Sequence, residues 1–242
     1  MIFQPVPVTD GNSWRHEVKI VVHREILPIV ESHLHLHGAI IRQQYPDRII
    51  QSIYLDTPTR EDLADAEEGI GKRYKIRIRW YGEESQFVNA SLELKRRDGN
   101  LGSKDRWQSN CQIPINGIPV SIWLRQVLAS FASGAHAVVA NRQPQAWIRY
   151  HRMYRMTSDG KVRVTIDQDL RSDLLSHRMI FDSRFLHDMG PVAIIEMKSS
   201  DSDHAHLVSL LQGLPGVVQR CSKYALAVQP GWWHLARHSG GS

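Results

Sequence analysis

Cysteine is almost missing from this chain: two residues, Cys111 and Cys221, in 242. Two thiols that far apart build no disulfide framework and match no zinc-ligand spacing, so a reducing compartment is the simplest setting. Long apolar runs are missing too. No stretch approaches the ~20 apolar residues of a membrane-spanning helix. The opening MIFQPVPVTDGNSW lacks both the basic lead and the apolar core of a signal peptide. A cytoplasmic protein is expected. Internal repeats, coiled-coil heptads and long linkers are also lacking, which argues against solenoids and fibrous assemblies. What is present is ordinary for a folded globular chain: 42% hydrophobic and 23% charged residues. The net charge of +5 favours an anionic partner. It does not separate nucleic acid from a membrane surface or small phosphates.

Strand-like segments outnumber helical ones. Residues 15–22 (RHEVKIVV), 48–57 (RIIQSIYLDT), 73–82 (RYKIRIRWYG), 87–99 (FVNASLELKRRDG), 146–156, 161–170 and 191–200 read as strands. Helical spacing appears at 24–37, where Pro28 suits a first turn, and at 120–133. It appears again at 201–214, with Ser200 or Asp201 as the expected cap. A short helix and turn is expected within REDLADAEEGIG, and the segments EESQ and TSDG suggest hairpins. The segment 220–228 closes the domain. Long strands with a few helices between them make an α+β protein.

One pattern recurs on several strands. In RYKIRIRW, Arg73, Lys75, Arg77 and Arg79 share one parity, while Tyr74, Ile76, Ile78 and Trp80 share the other. Glu17 and Lys19 oppose Val18 and Ile20; Glu93, Lys95 and Arg97 alternate with Leu92, Leu94 and Arg96. Arg163, Thr165 and Asp167 oppose Val162, Val164 and Ile166, and Glu196 and Lys198 oppose Ile195 and Met197. A single such strand is ordinarily one edge of a solvated face. Here the charged faces are dominated by cations, and aligned like charges repel. Gathered inside a closed barrel with helices outside, they would need water or a polyanion to neutralise them, because unpaired buried ions cost several kcal/mol each, roughly. Arg would supply bidentate phosphate contacts and Lys point charges.

The pieces HEVK, SIYLDT, RYKIRIRWYG, LELKRR, SKDR, RYHRMY, VRVTIDQDL, IIEMK and CSKYA stand in this order from about residue 14 to 228. Each is weak alone, but in this order they resemble the triphosphate tunnel metalloenzyme superfamily, specifically its VTC (vacuolar transporter chaperone) polyphosphate polymerase domain. The resemblance implies a closed antiparallel eight-stranded β-barrel with helices packed outside. It implies a domain at 14–230 between a flexible leader (1–13) and a C-terminal tail (231–242). It places Lys19, Arg77, Arg79, Lys95, Arg152, Arg163 and Lys223 among tunnel cations gripping nucleotide and polyphosphate phosphates. Lys104 and Arg220 fall at further phosphate contacts towards one mouth, Ser222 at a phosphate hydrogen-bond donor, and Glu196 at the carboxylate holding Mn²⁺ or Mg²⁺. Arg73 and Lys75 are expected at or outside the mouth. The related CYTH branch carries a Glu-x-Glu-x-Lys motif near its N-terminus, whereas Arg15 stands first here, followed by Glu17 and Lys19. That favours the VTC branch.

The implied activity is transfer of the ATP γ-phosphoryl group onto inorganic polyphosphate, with ATP, pyrophosphate and polyphosphate as partners and no nucleic acid. Hydrolysis of tripolyphosphate or nucleoside triphosphate, and non-catalytic binding of polyphosphate or nucleotide, are the alternatives. Glu17, Glu93 and Asp167 are also candidates for ion pairing with neighbouring cations, Asp167 above all. Other motifs carry less. GIGKR (69–73) resembles a P-loop but lacks its leading glycine spacing and the Ser/Thr after Lys72. His33, His35 and His37 read as surface histidines, Trp232 and Trp233 as packing residues, and SSDSDH (199–204) as a helix start.

Overall fold

The computed structural model describes residues 16–36, 41–83, 87–99, 101–109, 112–131 and 134–229. The leader, the tail with Trp232 and Trp233, His37 and Cys111 lie outside these. Strand β1 (His16–His23) leads through a 3-10 turn into helix α1 (Leu27–Leu36), with Pro28 in its first turn. Strand β2 (Ile41–Asp56), α2 (Glu61–Glu68) and β3 (Lys72–Tyr81) follow. After β4 (Phe87–Val88) come the hairpin strands β5 (Ser91–Asp98) and β6 (Leu101–Gln108), then β7 (Ile113–Pro114). Helices α3 (Val120–Ala129) and α4 (Ala135–Val138) precede the long strands β8 (Gln143–Thr157) and β9 (Val162–Leu174). The chain continues through β10 (His187–Asp188), β11 (Val192–Ser199), α5 (His204–Leu211), β12 (Val217–Val218) and α6 (Lys223–Val228). No helix among the described residues is long and apolar enough to cross a membrane.

The main sheet has ten strands in the hydrogen-bonded order β12-β1-β11-β9-β8-β2-β3-β5-β6, with β10 on β9; β4 and β7 form a separate pair. Eight of the ten are long, while β10 and β12 have two residues each. The ladders with a described register are all antiparallel. Ten strands replace the eight expected, and no ladder among the described residues joins β6 back to the other end. The end strand is the short β12, which pairs with β1 at Ile20 and Val21.

Several elements differ from the sequence reading, among them the single strand expected at 87–99, which is split into β4, paired with β7, and β5. Strand β2 begins at Ile41, not residue 48, and runs through Pro46. Its β3 ladder starts only at Ile50, so Pro46 has no donor to supply on that side. Strand β6 was not expected, because polar residues occupy both of its parities and most of it is exposed. Helix α5 begins after Asp203, not at residue 201: Ser200 Oγ donates to Asp203 Oδ2 at 2.5 Å, and the backbone there forms its own turn.

Two compact units partition the chain. The first holds Ile49–Arg149 and Arg171–His187; the second holds Tyr150–Leu170 with the described parts of Thr9–Arg48 and Asp188–Ser242. In the first unit, Ile76, Ile78 and Trp80 of β3 and Leu92 and Leu94 of β5 pack under Trp123 and Val127 of α3. Trp123 meets Phe181 edge-on at 5.0 Å, and Trp80 lies 6.3 Å from Trp123. The start of α2 is held by Asp56, whose carboxylate accepts from the amides of Asp62 and Leu63 at 3.0 and 3.1 Å. In the second unit, Ile20 and Val22, Val162, Val164 and Ile166, and Ile195 and Met197 pack against Leu27, Val30 and Leu34 of α1 and Leu207 and Leu210 of α5. In both units the helices cover the apolar parity. The charged parity faces the other way.

Candidate functional site

On the helix-free face of the first unit, the antiparallel register sorts the charges into rows across the strands. Ser52, Arg79, Ser91 and Gln108 form one row, and Tyr54, Arg77, Glu93 and Arg106 the next. Beyond them Lys75, Lys95 and Lys104 stand opposite one another, followed by Arg73 and Arg97. Glu93, buried to 4% exposure, organises the centre. Arg77 Nε and Nη2 donate to its Oε2 at 2.8 and 2.6 Å, Lys104 Nζ lies 3.3 Å from Oε1, and Arg79 Nη1 stands 3.8 Å away. Three cations therefore share one carboxylate. Burial opposes ionisation of Glu93, but Arg77, Arg79 and Lys104 outweigh it and hold the carboxyl well below its ordinary range. For Lys104, burial and the neighbouring guanidinium groups together lower its pKa against the pull of Glu93. Tyr54 Oη accepts from Arg77 Nη1 at 3.3 Å. Burial raises a phenol, yet Arg77, Lys75 and Arg79 prevail and bring Tyr54 down to about 8.

The second unit carries two clusters on the charged face of its strands, with the first residue of α6, Lys223, among them. Asp167 is fully buried and accepts a bidentate fork from Arg152, at 2.5 and 2.7 Å, together with Lys223 Nζ at 2.5 Å. Burial opposes the charge on Asp167, but both cations lower its pKa, and Lys223 is raised in return by Asp167 despite its own burial. Lys223 Nζ also lies 4.7 Å over the Tyr150 ring. Next to this cluster, Glu17 and Glu196 are interleaved with Lys19 and Lys198. Lys198 Nζ reaches Glu196 at 2.7 Å and Glu17 at 3.1 Å, and Lys19 Nζ reaches Glu17 at 3.0 Å and Glu196 at 4.0 Å. Burial raises Glu196, but Lys198, Lys19 and Arg152 outweigh it and depress its pKa strongly. Arg163 sits in register beyond Lys198, and Thr165 beyond Glu196. Lys19 Nζ also donates to the carbonyl of Cys221 at 3.2 Å, which ties β1 to the segment entering α6.

The structure thus brings Arg77, Arg79, Lys95 and Lys104 onto one face of the first unit. It brings Lys19, Arg152, Arg163, Glu196 and Lys223 onto one face of the second. Ser222 is the residue before α6, and Arg220 is exposed on the segment between β12 and α6. Glu17, Glu93 and Asp167 are ion-paired. Lys75, expected at or outside the mouth, stands in register with Lys95 and, through it, with Lys104. Lys198 was read on the charged parity of IIEMK beside Glu196 but given no site role, and Tyr54 and Arg106 were not singled out.

Among the described residues no group of three or more His, Cys, Asp or Glu side chains could enclose a metal. The donor chemistry at Glu196 nonetheless suits a hard divalent ion. Two carboxylates, Glu196 and Glu17, lie on one face and present oxygen donors, and Mg²⁺ ordinarily takes one or two carboxylates with substrate phosphates completing its shell.

A family model described as the VTC domain matches residues 14–230. The chain belongs to the VTC domain family. Among solved structures, a candidate adenylate cyclase from Vibrio parahaemolyticus matches this VTC domain at 11% identity with a TM-score of 0.51, over 90% of this chain and 99% of its own. A candidate adenylate cyclase from Bacillus halodurans matches at 14% identity and a TM-score of 0.50, over 88% and 97% of the two chains. At that identity the likeness is one of fold: the VTC domain has the triphosphate tunnel fold. No curated protein matches significantly.

Proposed function

We propose that this VTC domain is a polyphosphate polymerase that transfers the γ-phosphoryl group of ATP to the end of an inorganic polyphosphate chain. The observation that carries the reading is the clustering of cations around the buried carboxylates. Glu93 is shared by Arg77, Arg79 and Lys104, and Asp167 by Arg152 and Lys223. Each carboxylate orients more than one cation, and such a cation-rich face favours a polyanion.

Phosphoryl transfer needs alignment and charge neutralisation more than a nucleophilic side chain. The bond between the γ-phosphorus and the β–γ bridging oxygen breaks, a terminal oxygen of the acceptor phosphate forms the new P–O bond, and ADP leaves. That acceptor oxygen is already an anion, so no general base is required. Arg77 and Arg79 offer planar donor forks to phosphoryl oxygens, held in place by Glu93, Tyr54 and Ser52. On the other unit Arg152 and Lys223, held by Asp167, supply a guanidinium and an ammonium point charge. Lys19, Lys95, Lys104, Arg163, Arg220 and Ser222 are further phosphate contacts in this reading. Glu196, with Glu17 beside it, would hold Mn²⁺ or Mg²⁺, which supplies Lewis-acid neutralisation of phosphate charge when bound.

The test is incubation of pure protein with ATP, Mn²⁺ and a pyrophosphate primer, resolved on a gel. A ladder of phosphatase-sensitive polymer is the expected result. Orthophosphate alone would make the protein a hydrolase, and tight binding without turnover a binding protein. Glu196→Ala is expected to lose synthesis; full activity in that variant would remove the metal assignment.

A further inference from the structure

Among the described residues of the second unit, one large aromatic side chain is exposed: Tyr45 of β2, at 47%. It forgoes the burial that Tyr150, Tyr154 and Tyr224 obtain in the same unit. Its placement is nevertheless fixed. Pro46 follows it, and the residue before a proline is held to extended backbone. Asp47 then ties the segment to β8: its Oδ1 accepts from Arg155 Nη1 at 2.9 Å and from the Tyr154 amide at 3.4 Å. The Tyr45 ring meets the buried Tyr154 ring in a T-shaped contact, with centroids 5.7 Å apart and planes at 89°. Such a contact covers part of a ring, and about half of Tyr45 stays open to a flat partner.

This ring pair adjoins the cations assigned to phosphate. Arg48 lies over the Tyr154 ring at 5.2 Å and Arg152 at 6.0 Å. Arg152 is the residue that Asp167 holds next to Lys223. Two steps, of 6.0 and 5.7 Å, thus lead from the Arg152 guanidinium through Tyr154 to the Tyr45 ring. In a nucleoside triphosphate, the ribose and its nearest phosphates separate the base from the terminal phosphate by a length of that order. A bare phosphate chain has no flat apolar group, so an uncharged phenol face offers it no attraction. A nucleobase does have one, and base–aromatic stacking uses the ring face alone.

We propose that Tyr45, braced by Tyr154, is the platform on which the base of the donor nucleotide stacks while its phosphates reach Arg152. The platform rests on the reading of Arg152 and Lys223 as phosphate ligands, and it adds recognition of the nucleoside end. It is tested on the intact protein by calorimetric binding of tripolyphosphate and of an ATP analogue with nitrogen bridging its β and γ phosphates. In Tyr45→Ala, analogue affinity is expected to fall about tenfold. Tripolyphosphate affinity and the melting temperature should stay at wild-type values. Tyr45→Phe and Tyr45→Trp should keep analogue binding, because each retains a stacking face. The fluorescent 2-aminopurine riboside triphosphate loses emission when its base stacks, so wild-type protein should quench it and Tyr45→Ala should not. Unchanged analogue affinity in Tyr45→Ala, or an equal loss for tripolyphosphate, overturns the platform alone. So does a loss in Tyr45→Trp as large as in Tyr45→Ala. Wild-type protein that binds neither ligand overturns the phosphate-site reading as well.

Discussion

Asp167 has no contact with solvent and is held by the Arg152 fork and the Lys223 ammonium group. Asp167→Asn would leave two cations, each largely withdrawn from water, around a neutral amide. The expected loss is about 3–5 kcal/mol of stability in urea unfolding, with part restored by tripolyphosphate acting as the missing anion. Tyr54 gives a different readout. Its folded pKa is about 8 against an ordinary 10, so the folded phenol ionises first. Its contribution to stability is absent below about pH 8, grows as pH rises, and is complete above about pH 10. A phenolate there competes with phosphate for Arg77, Lys75 and Arg79, so phosphate affinity should fall over the same window. Ultraviolet titration should show a phenolate that appears near pH 8, moves to higher pH with tripolyphosphate, and vanishes in Tyr54→Phe. Parity puts Arg73, Lys75, Arg77 and Arg79 together on the face opposite Ile78 and Trp80, and the family resemblance, not parity, singled out Arg77 and Arg79 among them. Which residues of β5 and β6 lie opposite each was not legible, because register is a property of paired strands.

Two short elements carry much of the local order. Gly216 precedes β12 at φ 127°, and an added Cβ would stand 2.5 Å from Ile20 Cγ2 and 2.6 Å from Val22 Cγ1. Gly216→Ala therefore combines a disfavoured backbone with a clash against β1, where β12 occupies the sheet edge. It should lower the melting temperature clearly, whereas Gly71→Ala, with nothing within 4 Å of the added Cβ, should change it little. Asp56 caps α2 from the end of β2, and Asp56→Ala should cost about 0.5–2 kcal/mol, more if the buried amides stay unsatisfied. The long strands were legible from period-two alternation because each has one apolar parity under a helix. Strand β6 was not, since an edge strand with polar residues on both parities carries no such signal. The start of α5 moved because Ser200 and Asp203 bond each other locally before the helix begins.

Across the whole molecule, the carboxylates at the centres of the charged faces behave alike. Glu93, Asp167 and Glu196 are raised by burial and lowered further by their cations, so each stays ionised in the folded state below the usual carboxylate pKa. Unfolded carboxylates protonate near pH 4. The stability these groups contribute is therefore fully present above about pH 4.5 and is lost as pH falls toward their depressed folded values. Acid unfolding should be cooperative and should shift to lower pH when polyphosphate is present. The two-faced plan of apolar parity under helices and charged parity opposite was readable from alternation. Which cations share which carboxylate was not, because those partners meet through ladders between segments far apart in sequence. The most direct test of the central claim is a crystal structure with tripolyphosphate. Phosphate oxygens within hydrogen-bond distance of Arg77 and Arg79 on the face carrying Glu93 are predicted, and anions bound only elsewhere on the molecule would contradict it.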